Sequence, residues 1–255
     1  MGRKFGQHFL RDHSVLERIA QAVCPEGEQA GHVVEIGPGR GALTRHLLRR
    51  CTKLTAIEVD PVMVERLRGE FGGEEKFTLV HEDVLKVDLG AYGPCVIAGN
   101  LPYYISSPIV SRVFAAAGAW KRAVFLVQKE VALRMAAQKG SRDYGYLSVL
   151  VRTHSEPELL FGVGPGAFTP PPKVDSAVIA LRPKVVAREE AARLMKFVAR
   201  AFAHKRKTLR NNLAPFYGKA RIEAQPEANL RAEQLSPEDL AGLERRLSGG
   251  DPVLS

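Results

Sequence analysis

The turn Val34-Glu-Ile-Gly-Pro-Gly-Arg-Gly41 constrains the fold of this chain more than any other segment. It follows a short apolar run, His32-Val-Val-Glu-Ile36, that reads as a buried strand, and it precedes a helix from Ala42 to Cys51. Gly37, Gly39 and Gly41 let the backbone turn tightly and approach a ligand with no Cβ in the way. The helix start beyond them offers unpaired N–H groups. Glu58 closes the next apolar run about 20 residues on, where a carboxylate can bind both hydroxyls of a ribose. Strand, turn, helix and acid together mark a nucleoside-cofactor site. Gly37, Gly39 and Ala42 also satisfy the relaxed G-x-G-x-x-A form used for dinucleotides, so the glycines alone leave NAD and S-adenosylmethionine both open.

The same alternation continues along the chain. Ser14-Val-Leu-Glu17 reads as a capping box for a helix to Val23, and Asp60-Pro61 as the cap of a helix ending at Phe71. Strands are expected at 54–58, 77–80, 95–98, 123–127, 159–163 and 177–181, with helices at 108–117 and 130–138. This is an α/β pattern: a mostly parallel sheet with helices on both faces. The last two strands lack a helix between them, which predicts an antiparallel hairpin at one edge. After Pro183 only helices are expected, at 189–204, 208–212 and 237–247. The predicted domains are therefore 1–183 and 184–255.

With 45% hydrophobic and 25% charged residues, the 255-residue chain is neither disordered nor fibrous, and it can bury a core without staples. Three isolated cysteines predict a reducing, cytoplasmic compartment. No apolar run suits a membrane span, and the start, MGRKFGQHFL, lacks the apolar stretch of a secretion signal or the pattern for myristoylation. The net charge of +9 is uneven: segments 103–154 and 182–255 each carry +6, and the remainder is slightly acidic. Lys196, Arg200, Lys205, Arg206, Lys207 and Arg210 run with no acid between them, which points to a nucleic-acid partner. His204 beside Lys205 reads as facing RNA, and no cluster has metal-ligand spacing, so no metal is expected.

Two further loops fall at the carboxyl ends of strands. Asp83, after the third strand, is placed to accept a hydrogen bond from an adenine amino group. Asn100-Leu-Pro-Tyr103 follows the fourth. A base amine is a poor nucleophile because its lone pair is delocalised into the ring. The Asn100 side-chain oxygen and the Leu101 carbonyl would accept hydrogen bonds from such an amine and localise that pair. Pro102 forces Leu101 into an extended conformation, and Tyr103 or Tyr104 offers a ring to stack on the base.

These segments carry a resemblance. Gly-Gln-His-Phe-Leu at 6–10, Glu-Ile-Gly-Pro-Gly-Arg-Gly at 35–41, Asn-Leu-Pro-Tyr-Tyr-Ile-Ser at 100–106 and Phe-Thr-Pro-Pro-Pro-Lys-Val-Asp-Ser at 168–176 occur in one order. Over residues 3 to about 215 the chain closely resembles the small-subunit ribosomal RNA adenine N6,N6-dimethyltransferases, the kasugamycin-linked dimethyladenosine transferase family. The resemblance implies a Rossmann-like, seven-stranded class I methyltransferase sheet, followed by a small all-helical C-terminal domain. It implies S-adenosylmethionine as methyl donor and no metal. His8, which stands where many members have Asn, and Leu10 would close over the cofactor. Gly37 and Gly39 would lie against it, Glu58 would bind its ribose and Asp83 its adenine. Asn100 and Leu101 would meet the target amine, and Tyr103 and Phe168 would hold the flipped base. Lys205, Arg206, Lys207 and Arg210 would bind RNA.

The implied reaction is dimethylation of two adjacent adenosines in the 3′-terminal hairpin of small-subunit rRNA. The implied partner is an assembling 30S particle, and a monomer is expected. Three alternatives remain. The related large-subunit enzymes of antibiotic resistance share the Asn100–Tyr103 motif. A ribosome-assembly factor would matter more for binding than for methylation. An NAD oxidoreductase would explain neither Asn100–Tyr103 nor the basic tail.

Overall fold

A computed structural model describes residues 8–27 and 30–249. Gly6 and Gln7 of the first motif, and the outer ends of both expected domains, lie outside the described residues. In chain order the elements are β1 (Phe9–Leu10), α1 (His13–Val23), β2 (Ala30–Ile36), α2 (Ala42–Leu48), β3 (Cys51–Glu58), α3 (Pro61–Phe71), β4 (Phe77–His81), β5 (Cys95–Asn100), α4 (Ser106–Ala115), β6 (Trp120–Gln128) and α5 (Lys129–Ala136). Then follow α6 (Tyr146–His154), β7 (Ser155–Val163), β8 (Phe168–Thr169), β9 (Ser176–Pro183), α7 (Arg188–Ala201), α8 (Leu209–Tyr217), α9 (Lys219–Glu223) and α10 (Pro237–Ser248).

Seven strands form one sheet in the order β4-β3-β2-β5-β6-β9-β7. Strands β4, β3, β2, β5 and β6 run parallel, and β9 lies antiparallel to β6. Val33, Val34, Leu54, Ala56, Ile97, Ala98 and the β6 run Ala123–Val127 are all buried, as a parallel sheet covered on both faces requires. The chain winds outward from β2 to β3 and β4, then returns to place β5 on the other side of β2. The carboxyl ends of β2 and β5 are therefore the point where strand order reverses, and a crevice opens there.

Local signals explain most of the helices. Asp60 caps α3 through Val62 N–H at 2.9 Å, with Pro61 in the first turn. Ser236 and Asp239 form a reciprocal box at the start of α10. The box expected at Ser14 is corrected: Asp12 caps α1, accepting from Ser14 N–H at 2.9 Å and Val15 N–H at 3.1 Å. Glu17 instead accepts from His46 Nδ1 at 2.7 Å and pairs with Arg50. The last two strands of the sheet do lie side by side at one end, but β9 is the inner one because its buried face, Ala177–Leu181, pairs with β6.

The chain divides into two compact units, the residues up to Ala132 with Glu156–Pro183, and Leu133–Ser155 with the residues from Lys184 onward. This corrects the expected 1–183 and 184–255 division, because Leu133–Ser155 belongs with the helices. The physical reason is a second apolar core: Tyr144 and Val149 are buried with Leu194, Phe197, Leu213 and Leu240. Tyr144 Oη also donates to the Leu235 carbonyl at 2.9 Å. Helix α6 within that segment is absent from the sequence reading. Helix α7 ends at Ala201, short of the expected His204, where the exposed run of cations begins.

Candidate functional site

Residues from the carboxyl ends of β2, β3, β4 and β5 converge on one cleft in the first unit. Gly37 enters it with φ +65, and a Cβ built there would meet nothing within 4 Å, so the space beside it is open to a ligand. Gly41 differs: at φ +76, a Cβ there would sit 2.5 Å from the Phe71 ring, so glycine is what lets α2 approach α3. Between them, Gly39 N–H donates to Glu58 Oε2 at 3.0 Å.

Glu58 is buried, and its carboxylate accepts two further backbone N–H groups, Val59 and Asp60, both at 2.9 Å on Oε1. Three donors fix its orientation while a carboxylate retains lone pairs for hydroxyl groups. Asp83 is half-buried in the loop after β4, and its Oδ1 accepts Leu85 N–H at 3.0 Å. Both acids line the cleft, as do Gly37 and Gly39.

Asn100 ends β5, paired opposite Leu126. Its Nδ2 donates to the His8 carbonyl at 3.2 Å, which orients the amide and leaves Oδ1 as its acceptor. Leu101 is buried beside it, with its N–H donated to Leu126 O at 3.0 Å. The Tyr103 hydroxyl meets Ser176 Oγ at 2.6 Å, and its ring stacks on His8 with centroids 5.8 Å apart. Burial pushes the Tyr103 phenol above its ordinary pKa, with Ser176 pulling the other way. Tyr104, at the cleft, is 63% exposed and presents the freer ring.

A two-stranded ribbon that the sequence reading lacks explains the placement of His8. Strand β1 pairs with β8, with Leu10 opposite Phe168. His8 Nδ1 donates to the Pro170 carbonyl at 2.8 Å. Two motifs some 160 residues apart thereby meet over the cleft, which His8 and Leu10 both line. Phe168 is a correction. Its ring is 1% exposed, in the core cluster that includes Leu10, Val163 and Ala167, and it does not line the cleft. The ribbon turns it inward, so the structure does not bring it to a base beside Tyr103.

Glu35 is the residue that the sequence reading passed over. It lies in the cleft wall, fully buried, and accepts from Thr44 Oγ1 at 2.7 Å. Burial pushes its carboxyl up to about 8; the Thr44 bond lowers it and the nearby Glu58 raises it. An acid inside an otherwise apolar strand run was the available signal.

In the second unit, Lys205, Arg206 and Lys207 are exposed on the turn between α7 and α8, and Arg210 is half-buried at 3.6 Å from Glu223. The turn is clamped from within. Buried Asn212 donates through Nδ2 to the carbonyls of Ala201 at 2.7 Å and His204 at 3.2 Å. Among the described residues no group of three or more His, Cys, Asp or Glu converges as a metal site, and no helix is long and apolar enough to cross a membrane.

Comparison with known proteins identifies the family. The Ribosomal RNA adenine dimethylase family model matches residues 1–247. A Ribosomal RNA small subunit methyltransferase A of Pseudomonas fluorescens is 42% identical over 95% of this chain and 91% of its own length. Its namesake from Xanthomonas campestris is 44% identical over 94% of each. A dimethyladenosine transferase from Plasmodium falciparum superposes with TM-score 0.77 at 25% identity, over 95% of this chain and 98% of the other. The 23S rRNA methyltransferase ErmE superposes with TM-score 0.70 at 30% identity, over 94% and 99%. With the fold, the cleft and these likenesses together, the chain belongs to the ribosomal RNA adenine dimethylase family.

Proposed function

We propose that this protein transfers methyl groups from S-adenosylmethionine to N6 of two adjacent adenosines in the 3′-terminal hairpin of small-subunit rRNA. One observation carries the reading: Gly37, Glu58, Asp83 and Asn100, from four different strand ends, line a single cleft. The donor set suits a nucleoside: open space beside Gly37, a rigid carboxylate at Glu58 for ribose hydroxyls and a second at Asp83 for an adenine amine. When bound, S-adenosylmethionine supplies an activated methyl group on a sulfonium.

The chain supplies alignment and polarisation. Asn100 Oδ1, held by the bond from Nδ2 to His8, accepts a hydrogen bond from the target amine, and the Leu101 carbonyl accepts a second. Two acceptors draw the lone pair onto nitrogen and aim it into the cleft. The amine proton leaves to solvent after the new N–C bond forms, so no strong base is required. Tyr104 or Tyr103 stacks on the extracted base, worth roughly 1–3 kcal/mol against the few needed to extract it. The second unit, with eighteen basic and ten acidic residues, binds the rRNA backbone through Lys205, Arg206, Lys207 and Arg210. The protein works as a cytoplasmic monomer on the assembling 30S particle; a stable dimer by light scattering would overturn that part.

The test incubates the protein with labelled S-adenosylmethionine and small subunits from a strain lacking the modification, then digests the RNA. Labelled N6,N6-dimethyladenosine is the expected product. Transfer only to large-subunit RNA would favour the ErmE-like reading, which the higher identity to small-subunit enzymes disfavours.

A further inference from the structure

The two stretches of surplus positive charge are far apart in the chain, yet parts of both meet in the second unit. Arg142, from the loop after α5, lines a groove with Lys205, from the turn after α7, and Arg231, from the loop before α10. All three cations are exposed. Gly140, Ser141, Glu233 and Gln234 complete the groove.

Its walls are tied by hydrogen bonds from backbone N–H groups. Gly140 N–H donates to the Glu233 carbonyl at 2.9 Å, joining the two loops, and Arg231 N–H donates to Gln234 Oε1 at 2.8 Å. Lys205 rides on the turn that Asn212 clamps and that Lys207 N–H closes onto the His204 carbonyl at 2.9 Å. Among the described residues one acid lines the groove: Glu233 lies 3.8 Å from Arg231 Nη1 and offsets one of the three charges. Asp143 follows Arg142 in the chain and is exposed. Lys139 beside the groove is taken up by Asp239 at 3.0 Å.

We propose that this groove holds a backbone phosphate of the substrate RNA. The inference rests on the reading that the second unit binds RNA and adds Arg142 and Arg231 to the Lys205–Lys207 run. Two arginines and one lysine lining one groove suit a tetrahedral oxyanion, since each guanidinium fork can donate two parallel hydrogen bonds. The tied walls hold in place the loops that carry the cations, so binding has to order only their side chains and not the backbone beneath them.

The experiment measures RNA affinity of the full chain against salt, for wild type, the pair Arg142→Gln with Arg231→Gln, and the pair Arg206→Gln with Lys207→Gln. The groove pair is expected to weaken binding about tenfold near physiological salt and to lower the slope of log affinity against log salt by about one, the loss of a single phosphate contact. Arg142→Lys with Arg231→Lys should restore the slope. An unchanged slope in the groove pair beside a lowered one in the Arg206/Lys207 pair overturns the groove and leaves the broader reading standing. Unchanged slopes in both overturn the two together. Thermal melts of each variant separate loss of binding from loss of fold.

Discussion

In the first unit nineteen basic residues face eighteen acidic ones, whereas in the second eighteen face ten. The difference shows two ways of preparing for a ligand. The cleft of the first unit fixes its polar side chains before anything binds: Glu58 by three backbone N–H groups, Asn100 by the His8 carbonyl, Glu35 by Thr44. Such short, shielded contacts select a ligand by geometry and feel salt weakly. The second unit fixes backbone and leaves charge free. Asn212 clamps the turn from inside, and the cations above it stay exposed. Exposed charge attracts a polyanion at a distance and is screened by salt. Substitutions in the first unit should therefore change chemistry, cofactor affinity or stability with the salt response intact, and those in the second the reverse.

The largest effect is expected at Asn100. Asn100→Ala should reduce methyl transfer at least about a hundredfold, as loss of one preorganised polarising group does elsewhere, while RNA affinity keeps its salt slope. Near-normal transfer in the labelled assay would move the amine acceptor to another residue. Phe168 and Tyr104 sharpen the contrast inside the first unit. Phe168→Ala should cost about 3–5 kcal/mol in a denaturant melt, as loss of a core ring does. Tyr104→Ala should leave the melt unchanged and raise the KM for RNA several-fold, reflecting a stack worth roughly 1–3 kcal/mol. The opposite pattern would return Phe168 to the base. Glu58→Gln should weaken S-adenosylmethionine about 10- to 100-fold, the range for a hydrogen bond to a charged group, read by calorimetry. A shifted salt slope in that variant would break the division between the units.

The smallest effect concerns pH. The folded Glu35 carboxyl is raised to about 8 from an ordinary 4.5, so the native state holds its proton more tightly than the unfolded chain. Its contribution to stability is full below pH 4.5 and is lost as pH rises toward 8. The wild-type melting temperature should fall across that window relative to Glu35→Gln, which cannot ionise. Parallel curves would mean that the carboxylate is already ionised in the fold.

Much of the site is legible in local patterns. The strand–turn–helix at 32–51, Glu58 at a strand end and Asn100 after another need only neighbouring residues to be read, because turn geometry and burial period are local properties. Glu35 stood in plain view within the apolar run. Two placements had no local signature. The β1–β8 ribbon joins residues 9–10 to 168–169, and its pairing alone turns Phe168 into the core. Segment 133–155 joins the helical unit because the cover for Tyr144 and Val149 comes from helices that start after residue 187.

The sequence by itself determined the α/β class, the carboxylates and amide that line the cleft, and the surplus of positive charge in the later segments. Tertiary structure decided the strand order that puts β2 beside β5, and hence which strand ends share a crevice. It also decided that Arg142 stands with Lys205 and Arg231. Residue type and local period follow from each stretch of chain alone. Which stretches become neighbours depends on burying apolar faces against partners far along the chain, and only the folded core settles that choice.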